Sequence, residues 1–180
     1  MADMDAEVGM YLAAVKLATA AHAGQMYGDV PYTIHLAHVE HTLVRFDFTE
    51  PHLLAAAWLH DSVEDKTGVT LDEINRKLGL VMVQLVECLT DGEGANRAER
   101  KAQSYYRMAC RPESIPVKLA DRIANVEACV LSGDGRLAMY RKGHAEFRKK
   151  LHHASLTVGA THMRTRAMWS YLDDLIAGSD

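Results

Sequence analysis

Four residues on three predicted helices carry the groups for metal chemistry: His35, His60 with Asp61, and Asp121. His60 and Asp61 stand in Ala55-Ala56-Ala57-Trp58-Leu59-His60-Asp61-Ser62-Val63-Glu64-Asp65, which opens apolar and closes on acids. Leu54, Trp58, Leu59 and Val63 recur at helical spacing. The pattern predicts a helix with one face in a core and His60-Asp61 set into it. A buried carboxylate without a partner is costly, so a cation or a proton must compensate. Asp121 is framed by apolar residues in Val117-Lys118-Leu119-Ala120-Asp121-Arg122-Ile123-Ala124-Asn125, which puts it against the core. His35 follows Pro31-Tyr32-Thr33-Ile34 at the first turn of another helix. Two imidazoles and two carboxylates form a donor set of intermediate hardness. Such a set suits manganese, iron or another divalent ion with open positions better than thiolate-bound structural zinc.

A site of this kind lowers the pKa of a bound water and polarises a phosphoryl oxygen. Glu64 and Asp65 lie about one helical turn beyond the His-Asp pair, near the same face. They are candidates to position or deprotonate the water, or to protonate a leaving group. Lys118, Arg122, Arg97, Arg100 and Lys101 are candidates to neutralise phosphate charge. The remaining histidines carry less signal. His38 and His41 read as helix-face residues, and His22, His152 and His153 as residues closing helices, where a cation suits the dipole.

The elements that must position these groups alternate helix and short loop. A first helix is predicted from about Glu7 to Ala23, then a loop from Gly24 to Tyr32 punctuated by Gly24, Gly28 and Pro31. Thr33 is expected to cap a second helix from about Ile34 to Phe46. Pro51 opens the third, which carries His60 and Asp61. Thr70 with Glu73 makes a capping box for a short fourth helix ending near Gly79. Leu80 to Leu89 forms a fifth, and Asp91 to Asn96 a polar, glycine-rich loop or lid. A helix bearing Arg97, Arg100, Lys101, Tyr105 and Tyr106 follows, then an apolar helix from Val117 to Leu131 after Pro112 and Pro116. The last two are expected from about Leu137 to His152 and from Leu156 to Ile176. No strand, repeat or low-complexity segment is legible. The pattern is that of an all-α helical bundle.

Composition sets the bounds. The chain has 180 residues, which predicts one domain spanning residues 1–180 and a core that needs no staples. A net charge of −4 provides no general basic field for duplex nucleic acid. No apolar run approaches the ~18 residues of a membrane span. The start, Met1-Ala2-Asp3-Met4-Asp5, lacks the pattern of a signal peptide. Cys88, Cys110 and Cys129 are far apart and odd in number, which fits a reducing cytoplasmic compartment. Both a monomer and a homo-oligomer are compatible with the sequence.

Taken in order, these segments resemble the HD superfamily of metal phosphohydrolases. Within it they are similar to the hydrolase domain of RelA/SpoT-type proteins and to the single-domain small alarmone hydrolases of the metazoan SpoT-homologue type. The matching pieces are Ala21-His22-Ala23-Gly24-Gln25, Pro31-Tyr32-Thr33-Ile34-His35, Ala56 through Thr67, Leu89-Thr90-Asp91, Glu99-Arg100-Lys101 and Val117 through Asn125. The resemblance implies an all-α HD-domain fold and a metal that is usually manganese, with Fe2+, Co2+, Ni2+, Zn2+ or Mg2+ as substitutes. It implies metal ligation by His35, His60, Asp61 and Asp121, and service to the attacking water by Glu64 and Asp65. It also implies nucleotide contact by Asn125 and, in a looser match, by Tyr140 of Met139-Tyr140-Arg141.

One departure bears on substrate. The family carries an Arg-Lys pair between the glutamine and the Pro-Tyr that helps to hold the guanine nucleotide. Here the stretch reads Met26-Tyr27-Gly28-Asp29-Val30. Tyr27 is a candidate to stack on a base. The leading expectation is an alarmone hydrolase that removes the 3′-pyrophosphate of guanosine-3′,5′-bis(diphosphate). The second is an HD phosphohydrolase for another nucleotide or phosphoester. The third is a nucleotide-sensing module without catalysis, against which the Glu64-Asp65 pair argues.

Overall fold

The computed structural model describes residues 2–65, 67–157 and 161–178. Helix α1 spans Ala2–Ala21 and leads into a hairpin of two-residue strands, β1 (Met26–Tyr27) and β2 (Val30–Pro31). Then come α2 (Tyr32–Arg45), α3 (Pro51–Leu59), α4 (Leu71–Leu78), α5 (Leu80–Leu89) and α6 (Arg97–Cys110). A 3₁₀ turn at Pro112–Ser114 precedes α7 (Ile115–Ser132), α8 (Arg136–Ser155) and α9 (His162–Ala177). The all-α expectation holds apart from the hairpin, where a loop was expected. Its strands pair Met26 with Pro31 and Tyr27 with Val30. Gly28 turns the corner at φ 60°, a conformation that costs glycine little. Lys66, in the matching piece Ala56 through Thr67, and residues 158–160, in the expected last helix, lie outside the described residues.

Three local expectations are corrected. Thr33 does not cap α2: Pro31 holds the cap position in extended backbone. The N–H of Tyr32 is satisfied across the hairpin by the Gln25 carbonyl at 2.9 Å. The last helix begins at His162 rather than at Leu156; Asp91–Asn96 is a loop, as expected, anchored where Gln103 donates to the Glu93 carbonyl and Glu99 accepts from the Ala95 N–H. The third helix ends at Leu59 instead of running on to Asp65. His60 Nδ1 bonds the Ala57 carbonyl at 2.7 Å, the group that would otherwise accept the N–H of Asp61. Elsewhere the local chemistry is as expected. Pro51 starts α3, and the Thr70 hydroxyl accepts the Glu73 N–H at the start of α4.

The core explains how the site is held. Helices α1 and α3 pack together, and Ala14 and Ala18 of α1 and Ala55, Ala56 and Ala57 of α3 are fully buried. Small side chains on both faces permit that approach. Helix α7 is the central element, packed on α2, α8 and α9. Its buried face includes Val117, Leu119, Ala120, Ile123, Ala124 and Val126. On the edge of that face, Glu127 ties three helices together. It pairs with His38 at 2.8 Å and accepts from Arg45 at 2.8 Å, both on α2, and from the Tyr171 hydroxyl of α9 at 2.6 Å.

Burial alone would raise the carboxyl pKa of Glu127, but the hydrogen bonds from His38, Tyr171 and Arg45 win and lower it from 4.5 to about 2. The unfolded chain therefore takes up this proton at higher pH than the native state. The stabilisation is complete above about pH 4.5 and is lost as the pH falls toward about 2. Its size is about 2 kcal/mol. Glu127→Gln is expected to lower the unfolding free energy by about 2 kcal/mol at pH 7. The gap to wild type should narrow in urea titrations at pH 3.

Candidate active site

The hairpin, α2, the turns after α3, α6, α7 and α8 enclose a cavity of about 740 Å³. At its floor, donor atoms of His35, His60 and Asp121 lie within 4.8 Å of one another. Asp61 joins them, with Oδ2 at 2.9 Å from His60 Nε2 and 4.0 Å from His35 Nε2. Asp121 Oδ1 is 3.4 Å from His35 Nε2 and 3.6 Å from His60 Nε2. Residues distant in the chain thus meet because α2, α3 and α7 pack side by side.

The helix-ending bond of His60 also sets its chemistry. A carbonyl only accepts, so Nδ1 carries a proton and Nε2 faces the cluster. His60 Nε2 is buried and, although Asp61 Oδ2 lies 2.9 Å away, it makes no well-aligned hydrogen bond. An orphaned imidazole nitrogen facing two carboxylates is the arrangement a cation would satisfy. The field agrees. Burial would push the His60 imidazolium down, yet Asp61 and Asp121 hold it well above its usual range. Lys118 is likewise raised against its burial, by Asp121 first and then Asp61, and its Nζ sits 2.8 Å from Asp121 Oδ2. Asp121 itself is held well below the carboxylate range despite burial, with Lys118 the main cause. The residues present therefore fit a divalent cation.

Both acids beyond the cluster line the cavity, on turns rather than on a helix. Glu64 accepts the Asp91 N–H at 3.1 Å. Burial, with Asp91 and Asp61 close by, raises its pKa even though that N–H bond lowers it. Asp65 accepts from Gln25 Nε2 at 2.7 Å. Because a carboxylate only accepts, this fixes the amide: Gln25 Oε1 faces His22 Nδ1 at 2.7 Å, and His22 Nε2 faces the Ser62 hydroxyl at 3.4 Å. His22, at the end of α1 as expected, is therefore also a buried link behind Asp65.

Among the residues expected to bind substrate, Tyr27, Lys101, Lys118, Arg122, Asn125 and Tyr140 line the cavity, as does Arg97. Arg100 does not: its side chain lies along the loop at Gly94. Tyr27 reaches the cavity with its ring already stacked on His35, at 4.8 Å and 11°. The guanidinium of Arg136 also sits over that ring, 5.5 Å from its centre. Arg122 lies over the Tyr140 and Phe147 rings at 5.2 and 4.4 Å and donates to the Tyr140 carbonyl. His38 is held by Glu127, away from the donor cluster.

Several lining residues escaped the sequence reading. Tyr32 donates to Asp61 Oδ2 and stacks on His22 at 4.7 Å. Lys142, Glu146 and Lys150 face the cavity from α8. Their i, i+4, i+8 spacing was legible as one helix face, but nothing in it distinguished a cavity wall from a solvated surface.

Comparison with known proteins agrees with this architecture. The family model for the HD domain matches residues 14–144. The mouse (Mus musculus) protein guanosine-3′,5′-bis(diphosphate) 3′-pyrophosphohydrolase MESH1 is 36% identical over 131 residues, 68% of this chain and 71% of its own length. The human (Homo sapiens) MESH1 is 35% identical over 131 residues, with the same coverage of 68% and 71%. A solved structure described as a metazoan ortholog of SpoT that hydrolyzes ppGpp superimposes with a TM-score of 0.69 and 23% identity. It covers 94% of each chain, and that likeness carries the fold. The matched family model and the MESH1 relatives place the chain in the HD-domain family.

Proposed function

We propose that this protein is a divalent-metal-dependent hydrolase that removes the 3′-pyrophosphate from guanosine-3′,5′-bis(diphosphate). The observation that carries the reading is the convergence of His35, His60, Asp61 and Asp121 at the floor of a cavity whose other end is cationic. The likeness to the MESH1 hydrolases supports the substrate class. His35, His60, Asp61 and Asp121 hold the metal, with manganese the favoured ion. A bound divalent ion supplies charge stabilisation at the phosphoryl group and makes water more acidic.

The chain's own residues do the rest. Glu64, its pKa raised so that it sits closer to the working pH, takes the proton from the attacking water. Asp65, held by Gln25, orients that water from the other carboxylate position. Arg97 and Lys101 from α6 and Lys142 and Lys150 from α8 neutralise the phosphate charge in the cavity. Lys118 stays paired with Asp121, so its charge serves the donor cluster first. Among the described residues no helix is long and apolar enough to cross a membrane. Three free cysteines suit a reducing cytoplasmic setting.

Asp61→Ala is expected to abolish both manganese binding and phosphate release. Full metal occupancy in the variant, by elemental analysis, would refute the ligand assignment. Glu64→Gln keeps size and hydrogen bonding but cannot accept a proton. Its kcat should fall by about two to four orders of magnitude with metal content unchanged. In the wild type, kcat should drop on acidification through a Glu64 pKa above the ordinary glutamate value, and this limb should vanish in the variant.

Base selection should be weak. The Arg-Lys pair is absent, Tyr27 is stacked on His35, and the Asn125 amide is bonded to Tyr27 and Asp121. We expect the adenine counterpart to be hydrolysed as well. Paired kcat/KM measurements on one preparation decide the matter. A guanine preference above about a hundredfold, roughly 2.7 kcal/mol at the transition state, would defeat it.

A further inference from the structure

Tyr27 occupies the hairpin stretch in which the Arg-Lys pair is missing, and its contacts run toward the donor cluster. Its ring lies parallel to His35, 4.8 Å away and tilted by only 11°. The hydroxyl donates to Asn125 Oδ1 at 2.7 Å. On the other side of that amide, Asn125 Nδ2 donates to Asp121 Oδ1 at 2.6 Å and to the Asp121 carbonyl at 2.9 Å. Flipping the amide would set its oxygen against two acceptors, so its orientation is fixed from both ends.

We propose that Tyr27 is a positioning residue of the metal centre: its ring orients the His35 imidazole, and its hydroxyl acts through Asn125 to orient the Asp121 carboxylate. The inference rests on the assignment of His35 and Asp121 as ligands. Stacking limits rotation of the imidazole plane, so Nε2 stays directed at Asp121 Oδ1, 3.4 Å away. The Asn125 bond holds Oδ1 in place while Lys118 holds Oδ2. Both carboxylate oxygens are thus fixed before a cation arrives. Residues behind metal ligands typically tune affinity by 10–100-fold. Here one aromatic side chain reaches two ligands, on α2 and on α7, from a hairpin that belongs to neither helix.

The test is manganese affinity of chelator-stripped protein, measured by competition with a fluorescent chelator. Wild type should bind one ion per chain and Asp121→Ala none. If wild type binds no ion, or if Asp121→Ala binds as wild type does, the ligand assignment fails, and the proposal with it. Given that baseline, Tyr27→Phe keeps the stack and loses only the hydroxyl, so its Kd should rise about tenfold. Tyr27→Leu loses both and should weaken binding about a hundredfold. Melting in chelator checks that the variants fold, and Tyr27→Phe decides the question if Tyr27→Leu does not. At saturating manganese, Tyr27→Phe should keep the substrate KM of wild type. A manganese Kd within twofold of wild type for Tyr27→Phe overturns the proposal. So does a raised substrate KM with unchanged metal affinity, because Tyr27 would then be touching substrate.

Discussion

Two carboxylates, Asp61 and Asp121, are brought together inside the fold, and the structure depends on how their charge is balanced. Like charges at such proximity oppose folding unless positive groups stand among them. Lys118 supplies one such group at 2.8 Å from Asp121, and the His60 imidazole lies 2.9 Å from Asp61 and 3.6 Å from Asp121. The opposed directions of these groups have one cause. The acids are driven down and the bases up, each against its own burial. A centre so arranged favours any cation that can use imidazole and carboxylate donors together.

This balance shapes the scaffold around it. Helix α3 stops where His60 turns its side chain back onto Ala57, so Asp61 through Asp65 are free to follow turns. Those turns let Asp61 face the cluster while Glu64 and Asp65 face the cavity. Packing of small residues between α1 and α3 brings His22 and Gln25 behind Asp65, and the hairpin brings Tyr27 onto His35. The acids, the donor cluster and the cationic wall from α6 and α8 then share one cavity.

The departure in the hairpin changes the cavity wall more than the floor. A basic pair there would offer donors to a nucleotide base. Tyr27 instead turns inward, where it meets an imidazole and an amide. The cations that line the cavity come from α6, α7 and α8.

By itself the sequence determined the helical character of the chain, most element boundaries, and the identity of the residues that meet at the donor cluster. Helical periodicity, prolines at helix starts and the Thr70 cap act locally, so they can be read locally. The motif spacing sufficed to nominate His35, His60, Asp61 and Asp121, because residue type and burial pattern already demanded compensation. Tertiary structure decided what local rules could not. The end of α3 depends on a side chain competing for a carbonyl, and the Tyr32 N–H is satisfied by a carbonyl seven residues away. Arg100 and Lys101 are adjacent in sequence, yet only Lys101 lines the cavity, because successive residues on a helix point about 100° apart. The packing of α2 against α7 sets His35 and Asn125 beside Tyr27, contacts that its place in the hairpin does not announce. Which neighbour a side chain meets is fixed by long-range packing, and that is the part a linear pattern does not contain.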